Sequence, residues 1–300
     1  MYSIDEQIRI AAFNWLKQQI EIHGDVLSRE LLQTGFLFEN EKIPLVSPQG
    51  IFKPKFMEYP LSIVTTPSGP YDDSFDENGL LIYKYRGTDI HHRDNEGLRG
   101  AMRNNLPLIY LHGIVPGKYL VVWPVYIVSD DPSALSFHIT VDDLESLTIR
   151  TDRVHEADAK RVYLTSIVRV RLHQRGFRER VLRAYQTQCA LCRLKHIELL
   201  DAAHIIPDGE PDSKPIVNNG ISLCKLHHAA FDSFIIGITP DYQVEVREDV
   251  LSESDGPMLL HGLKKLHSSN IILPKIKREW PSKDFLEIRY RRFRKALSQQ

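Results

Sequence analysis

Three hundred residues are enough for two domains, each with its own core. The balance of apolar and charged residues is that of an ordinary globular chain, without internal repeats or low-complexity tracts. Three cysteines cannot build a disulfide framework, and the longest apolar run, YLVVWPVYIV, holds Pro124 and is too short to span a bilayer. The net charge of −1 hides an asymmetry: residues 1–149 carry 12 basic against 20 acidic side chains, and residues 150–300 carry 26 against 19.

The chain opens with MYSIDEQIRIAAFNWLKQQI. It has acids where a signal peptide needs basic residues, and Ile8, Ala12, Trp15, Leu16 and Ile20 recur at helical spacing. An amphipathic helical lead-in to about residue 33 and a cytoplasmic location are the expectations. A proline-rich stretch follows, and then a β pattern to about residue 130. GLLIYKYRG and PLIYLHGIVPGKYLVVWPVYIV are β-branched and aromatic runs, with a turn signal at Pro116-Gly117. SDDPSALSFHITVDDLES adds one more strand, and GTDIHHRDNEG between these runs reads as a loop. A charged connector, 151–169, separates a first domain, 1–150, from a second, 170–300.

The second domain begins with a helix around 175–187, its apolar face built from Phe177, Val181, Leu182 and Tyr185. Two basic stretches stand out. RVRLHQRGFRERVLR includes Arg175 and Arg178, and RYRRFRK includes Arg289, Arg291 and Arg292. Each alone can be a solvated helix face. Together, flanking a cysteine–histidine cluster, they point to a polyanion, because neutralising phosphates is the main sequence-independent source of nucleic-acid affinity. Between them lie all three cysteines. Cys189 and Cys192 form a C-x2-C pair, and Cys224 and His227 a C-x2-H pair. Four such donors suit a closed tetrahedral structural zinc site. SFIIGITPDYQVEVREDVL then reads as a strand pair, and GPMLLHGLKKLHSSNIILP as a helix and turn leading to the last basic helix.

LLDAAHIIP, with His204, and NNGISLCKLHHAAFD, with Asn219 and His228, thread a His–Asn–His order through the cysteine pairs. This arrangement resembles the HNH endonuclease family, in its ββα-metal, zinc-knuckle form, and the wider group of McrA-like restriction endonucleases. One departure is His227, where the family commonly has cysteine, so the division of labour between His227 and His228 stays open. The resemblance implies that His204 is the general base, that Asn219 fixes the loop beside it, and that His228 holds a divalent Mg²⁺ or Mn²⁺. Asp201 and Asp232 are candidate further ligands. Asp201 lies three residues before His204, so a regular strand puts the two on opposite faces, and a shared site would need a bulge.

The first domain resembles, on fewer residues, the PUA/SRA-like modules that flip a base into an aromatic pocket. Tyr71, Asp72, Tyr85, Arg86 and Trp123 are candidate pocket residues, with Tyr83 beside them and Lys84 and Arg93 at a basic rim; the plain alternative for the aromatics is strand packing. The expectation is an α+β protein with a β-rich recognition domain and a C-terminal nuclease. Its substrate would be double-stranded DNA carrying modified bases, in restriction or phage defence. A nicking or sequence-reading nuclease for unmodified DNA and a non-catalytic zinc-knuckle binder are the alternatives. Two cuts from one active site per chain would suggest a homodimer, although no dimer seam is legible. An RNA partner has no dedicated signal.

Overall fold

A computed structural model describes residues 3–66, 80–141, 173–208, 210, 213–254 and 256–297. Tyr71, Asp72 and the 151–169 connector lie outside the described residues. The chain divides into two compact units, Met1–Arg175 and Gly176–Gln300. Among the described residues no helix is long and apolar enough to cross a membrane.

In the first unit, α1 (Ile4–His23) starts from a reciprocal Ser3–Glu6 capping box and buries Ile8, Ala12, Phe13 and Leu16. The helical lead-in does not reach residue 33. Gly24 ends α1 at φ 76°, and β1 (Val26–Ser28) intervenes before α2 (Arg29–Thr34), which Ser28 caps. A hairpin of β2 (Phe36–Phe38) and β3 (Glu41–Ile43) leads to the main sheet. That sheet contains β4 (Ile51–Phe52), β5 (Ser62–Thr65), β6 (Leu81–Lys84), β7 (Leu108–Val115), β8 (Lys118–Asp131) and β9 (Ser136–Val141). Its order is β4-β5-β7-β8-β9-β6, with β1 also on β8; the β5–β7 pair is parallel and the others antiparallel.

Both faces of the central strands are covered, which is why β7 reads as a continuous apolar run. Ile109, Leu111, Tyr119 and Val121 share a core with α1 residues Ile8 and Leu16. The alternate residues Leu108, Tyr110, Leu120 and Val122 share one with Leu98 and Ala101. These last two belong to α3 (Arg93–Arg103), in the region where the sequence suggests a loop. The His92 side chain accepts from the Asp94 amide to start this helix. Its core face includes the charged Arg99, whose Nε donates to Asp130 at 2.6 Å and whose Nη2 donates to the Tyr85 hydroxyl at 2.8 Å. An arginine buried through tertiary partners hides the helical period.

The second unit is built on a hairpin crossed by helices. Residues 173–184 form α4 and bury Phe177, Val181 and Leu182. Gln186 and Thr187, both at positive φ, turn the chain into Cys189. Then β10 (Leu200–His204) pairs with β11 (Gly220–Cys224), and α5 (Lys225–Asp232) follows directly. Next come the hairpin of β12 (Ile236–Ile238) and β13 (Val244–Val246), short helices α6 (Glu248–Ser252) and α7 (Pro257–Gly262), and the long α8 (Lys283–Leu297). Phe177, Val181, Leu200, Ala203, Ile221, Leu223, Phe231 and Leu286 belong to one core.

Gly220 fixes how closely α4 lies on the hairpin. A Cβ added there would stand 2.4 Å from Val181 Cγ2 and 2.8 Å from Phe177 Cζ. Gly220→Ala is expected to destabilise the second unit by about 1–3 kcal/mol through overpacking, seen as a lower urea midpoint. An unchanged midpoint would show that α4 tolerates a methyl group at this contact.

Candidate active site and metal centre

His204 closes β10 directly opposite Gly220. The missing side chain at Gly220 lets Phe177 reach across and stack on the imidazole, with ring centroids 3.8 Å apart and planes 13° from parallel. Burial is the main force on this ring and holds its pKa below the ordinary 6.5; Asp208 and Asp232 pull it up, and His228 pushes it further down. A neutral imidazole, able to accept a proton, therefore prevails at neutral pH.

Asn219 is fully buried one residue before Gly220. Its Oδ1 accepts from the Ile206 amide at 2.8 Å, and its Nδ2 donates to the carbonyls of Ile206 and Lys214, both at 3.1 Å. The Ile205 amide also donates to the Asn219 carbonyl at 2.9 Å. One side chain thus pins the loop leaving His204, through the backbone and without touching the imidazole.

The hairpin register runs from Leu200↔Cys224 to His204↔Gly220 without a bulge. Asp201 nevertheless adjoins the site, because His228 on α5 reaches it. Asp201 Oδ2 lies 3.6 Å from His228 Nδ1, and Asp232 Oδ2 lies 3.2 Å from Nε2, one helical turn on. Asp232 is the larger influence raising the His228 pKa, against the opposing effect of burial. The carboxylates sit at opposite edges of one ring, so the three donors do not converge as they stand. Of the two, Asp232 is the one whose charge acts on His204.

Convergence is found instead at Cys189, Cys192, Cys224 and His227, whose donor atoms all lie within 4.8 Å of one another. His227 Nδ1 faces the sulfurs of Cys224 and Cys189 at 3.2 and 3.4 Å, and Nε2 donates to the Gly262 carbonyl at 2.7 Å. That second bond fixes the tautomer and leaves Nδ1 for an ion. Burial alone would lower the pKa of the metal-free His227; the Cys189 and Cys224 sulfurs and the Gly262 carbonyl outweigh it and raise it to about 10. The four-donor set is compatible with zinc.

The basic stretches divide. Arg289 was expected at the DNA surface, but it is 6% exposed, lies between the rings of Phe231 and Phe234, and donates to the Phe231 carbonyl at 2.9 Å. Arg178 is partly exposed and also bonded to the backbone. Its Nη2 donates to the carbonyls of Leu200 and Ile197 at 2.8 and 3.1 Å, and its Nε lies 3.8 Å from Asp201. Both guanidinium groups are engaged by the fold itself. Arg291 is exposed and paired with Glu287, and Arg292 is paired through both terminal nitrogens with Glu210. Arg175, the last residue of the first unit, is exposed and paired with Asp25 at 3.0 Å.

The described base-pocket candidates are engaged in packing or pairing. Tyr85 is buried against Phe137, its hydroxyl bonded to Asp130 and Arg99. Tyr83 is buried, Arg86 pairs with Asp94 and Gln49, and Trp123 packs on the core beneath α1. Sequence reasoning missed the Phe177 stack and the Gly262 carbonyl. Phe177 was legible as an apolar helix position, but its partner was not.

Residues 189–239 match the family model described as HNH endonuclease. No curated protein matches the chain. Among solved structures, it is similar to a modification dependent TagI restriction endonuclease at 17% identity, over 80% of this chain and 82% of that one, with a TM-score of 0.30. It is similar to the Type IV phosphorothioation-dependent restriction endonuclease ScoMcrA at 13% identity, over 82% of this chain and 53% of that one, with a TM-score of 0.25.

Zinc content separates the two neighbouring histidines. Cys189→Ala and His227→Ala are expected to lose about one zinc per chain and to unfold the second unit, since such an ion supplies folding free energy directly. His228→Ala is expected to keep it. Elemental analysis finding no zinc in folded wild-type protein would refute this assignment.

Proposed function

Because residues 189–239 make the second unit an HNH endonuclease domain, a DNA-cleaving hydrolase, we propose that the whole chain is a metal-dependent DNA endonuclease of modification-dependent restriction or phage defence. The observation that carries the reading to particular residues is the half-buried His204, stacked on Phe177 and acted on electrostatically by His228 and Asp232. In this reading His204 takes the proton from the water that attacks phosphorus. Asn219 holds the following loop, so the imidazole keeps its place as substrate enters. His228 and Asp232 would hold Mg²⁺ or Mn²⁺, and Asp201 would orient the same ring from Nδ1. The bound ion would contact the scissile phosphate and stabilise the leaving oxygen. Arg291 and Arg292 on α8 exchange their glutamate partners for DNA phosphates.

The first unit, in this proposal, chooses the target, and a duplex cut in both strands draws on two chains. A second reading has its own observation. Tyr85 and Trp123 pack into strand cores, which favours a nuclease that reads or nicks unmodified DNA over one that stacks a flipped base on these rings. Digestion of a plasmid panel decides between them. Cleavage confined to DNA carrying modified cytosines or phosphorothioates supports the first reading. Equal cleavage of unmodified plasmid supports the second.

His204→Ala is expected to reduce cleavage by about 10²–10⁴-fold while leaving zinc content and duplex binding unchanged. The base works only when neutral, and burial lowers its pKa, so the wild-type rate should hold as pH falls to 6.5 and drop below it. Near wild-type cleavage by His204→Ala, or an acid limb centred well above 6.5, would exclude His204 as the base.

A further inference from the structure

Arg289 lies in the densest run of positive charge in the chain, yet it faces inward. Its guanidinium carbon stands 4.6 Å from the ring centroids of both Phe231 and Phe234. Phe234 takes a left-handed φ of 54°, uncommon for a bulky residue, where its ring covers the cation. Nη2 donates to the Phe231 carbonyl in the last turn of α5, where a positive charge complements the helix dipole. The same nitrogen reaches Asp232 Oδ1 at 3.4 Å, and the other oxygen of that carboxylate lies 3.2 Å from His228 Nε2. Stability alone would favour an apolar side chain between two phenylalanine rings. A buried guanidinium carries a desolvation cost that these contacts offset only in part, since its Nε has no partner among the described residues.

We propose that Arg289 is a positioning residue of the nuclease site: it holds Asp232, and through Asp232 the His228 ring, so that α8 belongs to the catalytic framework. The inference rests on the metal-site reading of His228. With Oδ1 anchored by Arg289, Oδ2 stays directed at His228, and the pair keeps its separation whether or not substrate is bound. Arg291 and Arg292, on the same helix, remain the outward-facing cations.

The test uses the full chain with its zinc retained and reads Mn²⁺ affinity by calorimetry. Loss of a group that orients a ligand weakens metal binding by about 10–100-fold. Arg289→Met is expected to raise the Mn²⁺ dissociation constant by that factor, with zinc content, far-UV circular dichroism and the salt dependence of duplex binding unchanged. Arg289→Lys keeps a cation but not the planar fork, and it is expected to weaken Mn²⁺ binding as well, which covers the case in which the methionine variant fails to fold. Adding Arg289→Met to Asp232→Asn should have no further effect on cleavage or Mn²⁺ binding, because Arg289 acts through that carboxylate. A salt slope reduced by about 0.9 with Mn²⁺ affinity unchanged would make Arg289 a phosphate contact and overturn the proposal. Additive losses in the double variant would make it a packing residue and overturn it too. Mn²⁺ binding that survives His228→Ala would bring down the metal-site reading and this inference with it. Binding that depends on His228 but not on Arg289 brings down the inference alone.

Discussion

The second unit gathers Cys189 and Cys192 from one side and Cys224 and His227 from the other into one cluster compatible with zinc. The cluster joins the turn before β10 to the end of β11 and the first turn of α5. A metal ion there would add a fixed link between the hairpin and the eight-residue helix to the core they already share. Successive residues of an α-helix point about 100° apart. With His227 turned inward to the sulfurs, His228 is directed toward Asp201 and Asp232. The inner donors are mostly soft sulfur, and the outer ones are imidazole and carboxylate. In the proposed reading, that difference would separate a zinc-type site from one suited to Mg²⁺ or Mn²⁺ across a single peptide bond.

A second constraint acts on the hairpin from the opposite direction. Gly220 gives up its side chain so that α4 can approach, and Phe177 uses the space to cover His204. The contact that seats the helix also helps to bury the imidazole, and burial holds its pKa below the ordinary value. Asn219 adds the backbone component, since its buried side-chain amide closes the loop after His204 with hydrogen bonds to Ile206 and Lys214.

The cysteine–histidine pairs are legible because four donors at these spacings suit coordination, whereas His204, Asn219 and His228 stand out through the resemblance to the HNH family. The β10–β11 and β12–β13 hairpins were legible from apolar runs and turn residues. The inward arginines were not. Positive charge in sequence reads as surface, and only the tertiary partners Phe231 and Phe234 turn Arg289 inward, while Arg178 is held at the backbone of Leu200 and Ile197. For the same reason α3 looked like a loop, its period hidden by Arg99. In the first unit, aromatic residues on strands carry no sign of which face they take, and Tyr85 and Trp123 proved to be packed.

The central claim is that one helix turn serves two metal sites of different chemistry. Anomalous diffraction from crystals of the full chain grown with Mn²⁺, recorded at the zinc and manganese absorption edges, tests it most directly. The account predicts a zinc peak amid Cys189, Cys192, Cys224 and His227, and a separate manganese peak against His228 Nε2 and Asp232 on the side facing His204. A manganese peak within the four-donor cluster, or none at His228 with zinc in place, would contradict it.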